Sequence, residues 1–193
     1  ILSAVVLVLL GLGCMGVGGD AFGVLLIVAA GLMAWETSRM HSDALIVHYA
    51  YGLVIAAVVL SAMFLSAFWS GVLVAIAIGA AFMGHHTRAP VIYATVAIIL
   101  ACTTLFFLRN QFGFGWTLWL VVVVAASDIG GYFAGKMIGG PKILPAISPK
   151  KTWSGTLGGW ALAGVVGFIA VQMGLGGYGL IVLSVLMAIA AQI

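Results

Sequence analysis

Two stretches of the chain, Ala44 to Thr87 and Thr152 to Ile193, contain no Asp, Glu, Lys or Arg and are made mainly of aliphatic and aromatic residues. Each is longer than forty residues, whereas one membrane-crossing helix needs about 20. A soluble fold of this size carries about 25% charged residues to face water. Here 6% are charged, seven Lys and Arg against four Asp and Glu, and 65% are hydrophobic. Disorder and an ordinary soluble domain are both excluded. The expected fold is an all-α, polytopic integral membrane protein, forming a single transmembrane domain over residues 1 to 193. The first residue is Ile1 and the last apolar stretch stops at Gln192 and Ile193, so the sequence reads as a fragment. No cleavable signal peptide can be argued, because no polar mature domain follows the first apolar run.

The apolar runs and their interruptions predict eight spans, at residues 2 to 18, 21 to 38, 45 to 65, 68 to 84, 90 to 108, 115 to 134, 155 to 173 and 176 to 193. The two long runs are divided at Ser66 to Ser70 and at the glycine-rich Gly174 to Gly179. Alternate loops then fall on opposite faces. One face holds Arg39, Arg88, Lys136, Lys142, Lys150 and Lys151, and the other holds Arg109. This bias puts the basic face, both chain ends and the loop of residues 135 to 153 in the cytoplasm. Gly131, Gly135 and Gly139, then Gly155 and Gly159, are spaced by four. That spacing lets helices in lipid approach closely and is compatible with a homodimer.

Several motifs fail on context. Gly11, Gly13 and Gly16 spell GxGxxG with Glu36 beyond, but a dinucleotide fingerprint needs a βαβ unit. Gly130 to Lys136 matches the start of a Walker A loop, with Met137 where a Ser or Thr is required. His85 and His86 are adjacent and cannot form the i, i+4 pair that binds zinc. His48 and Tyr49 read as the start of a span. Cys14 and Cys102, far apart in apolar runs, read as small core residues.

Asp128 is different, because it follows the apolar run Val121 to Val124 inside a span. A carboxylate there costs a few kcal/mol unless it is paired or faces a water-filled cavity, which makes it a candidate metal or substrate ligand. The next loop concentrates Lys136, Lys142, Lys150 and Lys151. Ser148 followed by Pro149 reads as an N-cap and first helical position. Lys150 and Lys151 then fall in a first helical turn, where cations are disfavoured by about 0.3 to 1 kcal/mol each. A bound anion would reverse that sign, so the lysines, Thr152, free backbone N–H groups and nearby glycines suggest a phosphate cradle. With the acid beside it to hold a divalent metal, the site suits phosphoryl or nucleotidyl transfer.

The stretch SDIGGYFAGKMIGGPKILPAISPKKTWSGTLGGW, Ser127 to Trp160, carries an acid at Asp128 followed by Gly131, Tyr132 and Phe133. It continues through a basic loop to Ser148 to Gly155 and the pair Gly158 and Gly159. It closely resembles the bacterial phosphatidate cytidylyltransferases, also called CDP-diacylglycerol synthases. Leu108 and Arg109 are similar to the family's Leu-Arg at the end of a span, and Trp35 and Glu36 are a weaker echo. Ser154 stands where the family usually has Glu, and the family's C-terminal signature, with the main metal ligands, would begin past Ile193.

The resemblance implies transfer of CMP from CTP to phosphatidate, giving CDP-diacylglycerol and pyrophosphate, with Mg2+ neutralising the triphosphate. The lipid phosphate would attack the α-phosphorus in line. Asp128 and Lys151 would be catalytic, with Asp128 also a metal ligand. Lys136, Lys142, Ser148, Lys150, Lys151, Thr152 and Gly155 would bind substrate. The enzyme would sit in the inner membrane of a bacterium with its site facing the cytoplasm, and no nucleic acid partner is expected. A CTP-dependent lipid-alcohol kinase, or a cytidylyltransferase for another lipid phosphate, would use similar parts. An anion transporter would also explain an intramembrane acid, but it predicts related halves, and residues 1 to 96 show no similarity to residues 97 to 193.

Overall fold

The computed structural model describes residues 2 to 64, 88 to 144 and 148 to 192. Among them the elements are α1 (Leu2–Val17), α2 (Gly19–Arg39), α3 (Leu45–Phe64), α4 (Arg88–Phe112), α5 (Phe114–Met137), β1 (Lys142–Leu144), β2 (Ser148–Thr152), α6 (Trp153–Gln172) and α7 (Gly179–Gln192). Five of these helices are long and apolar enough to cross a membrane, and α1 and α7 are shorter apolar helices. Side chains such as Leu7, Leu53 and Tyr93 are 68%, 72% and 77% exposed, a cost in water that vanishes in hydrocarbon. The protein is an all-α, multi-pass membrane protein with one small hairpin. The seven helices match seven of the eight expected spans. The span at 68 to 84, the division at Ser66 to Ser70 and the pair His85 and His86 lie outside the described residues.

The chain forms two compact units, Ile1–Phe114 and Gly115–Ile193. In the first, Ala30, Ile55, Val58, Val59, Val91 and Phe106 form part of a buried core shared by α2, α3 and α4. Tyr51 near the start of α3 hydrogen-bonds Thr95 near the start of α4, and at the other end the rings of Phe64 and Phe106 pack 5.4 Å apart. The two helices therefore run in the same direction, as the eight-span topology requires of them. Cys102 is buried in this core, whereas Cys14 is half-exposed. His48 is buried and its Nε2 pairs with the Ser42 carbonyl at 2.9 Å, a structural role in keeping with its position at a helix start.

Arg109 closes the end of α1. Its Nε donates to the Met15 carbonyl at 2.7 Å and its Nη2 to the Gly16 carbonyl at 3.2 Å, satisfying carbonyls that a helix leaves unpaired in its last turn. Gly18 turns the chain there with φ +72, and a Cβ on it would lie 2.7 Å from the guanidinium carbon.

In the second unit, Trp119, Val123, Ala163, Leu180 and Ala188 pack together. The Trp119 indole donates to the Ser184 hydroxyl at 3.1 Å. The division at Gly174 to Gly179 is confirmed, because α6 ends at Gln172, Gly174 takes φ +77 and α7 starts at Gly179. After α5, Gly139 and Gly140 adopt φ +65 and +110, a left-handed exit that turns the chain into the hairpin.

The start of α6 corrects the sequence reading. Ser148 is not an N-cap and Lys150 and Lys151 are not in a helical turn, since Ser148–Thr152 is strand β2. It pairs antiparallel with β1 through Lys142 opposite Thr152 and Leu144 opposite Ser148. Pro149 favours this outcome, because proline drives the preceding residue toward extended backbone and its missing N–H is tolerated in a two-stranded sheet. The cap is Thr152, at φ −113 and ψ 153, whose side chain accepts the Gly155 N–H at 3.2 Å. The Trp153 N–H donates to the Pro141 carbonyl at 3.1 Å, closing the hairpin against the helix.

Candidate active site

On α5, Asp128, Tyr132 and Lys136 are separated by four residues each, so they share one helix face. About 12 Å of helix axis separates the Cα atoms of Asp128 and Lys136. Ser127, Gly131 and Gly135 form the adjacent row. Opposite them stand Lys151 and Thr152 of β2 and Gly155 and Thr156 from the first turn of α6. Together with Gln192 at the end of α7, these residues line a pocket of about 380 Å³.

Glycine makes the pocket possible by letting two backbones touch. A Cβ on Gly155 would lie 2.7 Å from the Gly131 carbonyl oxygen, and one on Gly135 would lie 3.0 Å from Thr152 Oγ1. The four-residue glycine spacing is thus a close helix crossing, formed beside the pocket that Asp128, Lys136 and Lys151 line. Lys136 Nζ donates to the Tyr132 hydroxyl at 3.4 Å and lies 5.6 Å from that ring's centre. Lys151 Nζ donates to the Gln192 backbone carbonyl. Ser154, at the family's Glu position, donates its hydroxyl to the Gly139 carbonyl and lies 3.1 Å from Thr152 Oγ1. Here the residue joins the exit of α5 to the start of α6.

Of the residues singled out in the sequence, the pocket gathers Asp128, Lys136, Lys151, Thr152 and Gly155. Lys142 is exposed on β1 and is not part of the lining. Ser148 and Lys150 fall on β2, and their side chains lie outside the described residues. Sequence reasoning did not select Ser127, Tyr132, Thr156 or Gln192 as site residues. Tyr132 had a usable signal, being four residues along a helix from both Asp128 and Lys136, and Thr156 is the neighbour of the selected Gly155. Gln192 had none.

Two lysines beside the start of a helix favour an anion such as a polyphosphate. Among the described residues no three His, Cys, Asp or Glu side chains come together to hold a metal alone. Residues 1–193 match the model of the cytidylyltransferase family. The chain belongs to the cytidylyltransferase family. Curated relatives agree with that membership. A protein of Brucella suis biovar 1 named phosphatidate cytidylyltransferase is 43% identical over 86 residues, covering 44% of this chain and 32% of that protein. One of the same name from Helicobacter pylori is 41% identical over 85 residues, 43% of this chain and 30% of that protein. Another from Mycobacterium bovis is 46% identical over 46 residues, 24% of this chain and 15% of that protein. The chain thus matches about a third or less of the length of these relatives.

Proposed function

We propose that the protein works as a phosphatidate cytidylyltransferase, transferring CMP from CTP to phosphatidate to give CDP-diacylglycerol and pyrophosphate. The observation that carries this reading is one pocket holding Asp128, Lys136, Lys151, Thr152 and the first turn of α6. Family membership narrows the anion to a cytidine nucleotide, and the names of the bacterial relatives supply the lipid acceptor. The phosphate of the lipid is already ionised at neutral pH, so its oxygen can attack the α-phosphorus of CTP with no general base from the protein. The P–O bond to the β-phosphate breaks and pyrophosphate leaves with the electron pair.

Lys136 and Lys151 bind phosphate oxygens, and the Thr156 hydroxyl beside them adds a neutral donor. Lys142 lies outside the pocket and acts through its field. Ser148 and Lys150, on the same hairpin, complete the substrate contacts. Among the described residues, Asp128 is the one carboxylate lining the pocket. That donor fits Mg2+, which is commonly held by one or two carboxylates together with water and substrate phosphates. The ion would neutralise charge developing on the triphosphate. The basic loop faces the cytoplasm of a bacterial inner membrane, where CTP is available, and the lipid arrives from the bilayer.

The test is formation of CDP-diacylglycerol from CTP, phosphatidate and magnesium by membranes expressing the complete reading frame, beside Asp128→Asn and Lys151→Ala. Product from the parent and little from either variant is the expected result. No product from a folded parent at saturating substrates would overturn the reading and direct the assay to lipid alcohols and other lipid phosphates as acceptors.

A further inference from the structure

Tyr132 lies on α5 midway between Asp128 and Lys136, about one helical turn from each, and all three line the pocket. Its hydroxyl is 3.4 Å from Lys136 Nζ, while the centre of its ring is 5.6 Å from the same atom. The ammonium therefore sits at the oxygen end of the ring and not over its π face, so the contact is a hydrogen bond to a phenol lone pair. An ammonium has donors and no acceptor, which fixes the direction: Lys136 donates and Tyr132 accepts. The phenol proton then points away from Lys136, and among the described residues no oxygen accepts it. The ring itself is held edge-on against Phe133, with centres 5.5 Å apart. A tyrosine at a membrane boundary ordinarily turns its hydroxyl to headgroups and water, whereas this hydroxyl stands beside a lysine in a pocket.

We propose that Tyr132 is a phosphate-binding residue: its hydroxyl, accepting from Lys136, donates its own proton to a phosphoryl oxygen held in the pocket. The ammonium draws electron density from the phenol oxygen and makes its O–H a stronger donor, and the charge on the phosphate strengthens the bond again. The same contact restrains Lys136, whose flexible four-carbon stem is otherwise free, so that its remaining N–H groups face the same anion. The phosphoryl oxygen belongs either to the triphosphate of CTP or to the headgroup of phosphatidate. These are the two anions of the reaction proposed above, on which the inference rests for its ligand. Binding is read without turnover.

The experiment uses the complete protein purified in detergent, as parent, Tyr132→Phe, Lys136→Met and the double variant, with melting temperature recorded for each. Binding of CTP with magnesium is measured by titration calorimetry without lipid. Binding of phosphatidate in mixed micelles is measured without CTP, and the two series identify the source of the phosphate. Tyr132→Phe keeps the ring and its packing on Phe133, so the melting temperature stays at the parent's value while Kd for at least one ligand rises about tenfold or more. In the Lys136→Met background the same hydroxyl deletion weakens that ligand less, because a phenol without its ammonium is a poorer donor, and the two effects do not multiply. Unchanged binding of both ligands in a folded Tyr132→Phe protein overturns the inference. Equal losses in the two backgrounds, or a folded parent that binds neither ligand, overturn it as well. The expected losses in a protein that binds both ligands but makes no CDP-diacylglycerol leave the inference standing and remove the proposed function instead.

Discussion

Gly155 lies so close to Gly131 that a Cβ on the first would meet the carbonyl oxygen of the second at 2.7 Å, with Gly135 Cα 3.3 Å away. Backbone cannot yield as the end of a flexible side chain can, so Gly155→Ala pushes α6 from α5 and opens the pocket between them. The expected loss is about 1 to 3 kcal/mol of stability, together with most of the proposed CDP-diacylglycerol synthesis. Thermal denaturation in detergent and turnover of the same preparation check both. Gly164→Ala is the control, because its Cβ would meet only Val185 Cγ2 at an ordinary 3.5 Å.

Under the proposed function, Lys151→Ala removes a charge-assisted phosphate contact. Hydrogen bonds to charged groups contribute about 1.5 to 3 kcal/mol, so KM for CTP is expected to rise about tenfold to a hundredfold. Lys142→Ala, altering an exposed lysine outside the lining, produces a much smaller rise that disappears at high salt. Initial rates against CTP concentration at two ionic strengths separate the two.

Asp128→Asn keeps the shape of the side chain and removes its charge. A fall in kcat of about a hundredfold or more, with a higher magnesium concentration needed for half-maximal rate, is the expected result. A magnesium titration of parent and variant measures it, and an unchanged magnesium requirement would return Asp128 to a structural role.

Arg109→Met leaves the Met15 and Gly16 carbonyls without their donors. The expected cost is about 1.5 to 3 kcal/mol, seen as a lower melting temperature and faster amide exchange near the end of α1. A melting temperature equal to that of the parent would show that water replaces the guanidinium without loss.

Thr152→Ala removes the cap of α6 and is expected to cost about 0.5 to 2 kcal/mol, while Thr152→Ser retains most of it. Parallel substitution at Ser148 leaves helix stability unchanged, since that residue is in β2. Chemical denaturation of the two pairs decides between the cap at residue 152 and the one the sequence suggested at 148.

Much of the site was legible locally. Asp128 stood out because a carboxylate in a spanning helix is expensive, and Lys136 and Lys151 because charge is so scarce in this chain. The misplaced helix start has an equally local origin: Ser148 followed by Pro149 is a good N-cap signature, and Thr152 four residues later is another. The choice between them was made by β1, whose pairing with Ser148–Thr152 holds the first candidate extended. A sequence window that contains the cap does not contain the competing strand contact.

Hydrophobic run length determined the class of fold and the number and places of the described helices, because a bilayer imposes one length on any helix that crosses it. Charge asymmetry likewise predicted a topology, and four-residue glycine spacing a helix surface suited to close approach. Those properties depend on residues a few turns apart at most. The tertiary structure decided which side chains meet. Arg109 reaches Met15 across 94 residues, and Gln192 reaches Lys151 across 41 and Ser127 across 65. Such pairs leave no periodic trace in the chain, since each partner satisfies its own helix's local rules equally well with or without the other.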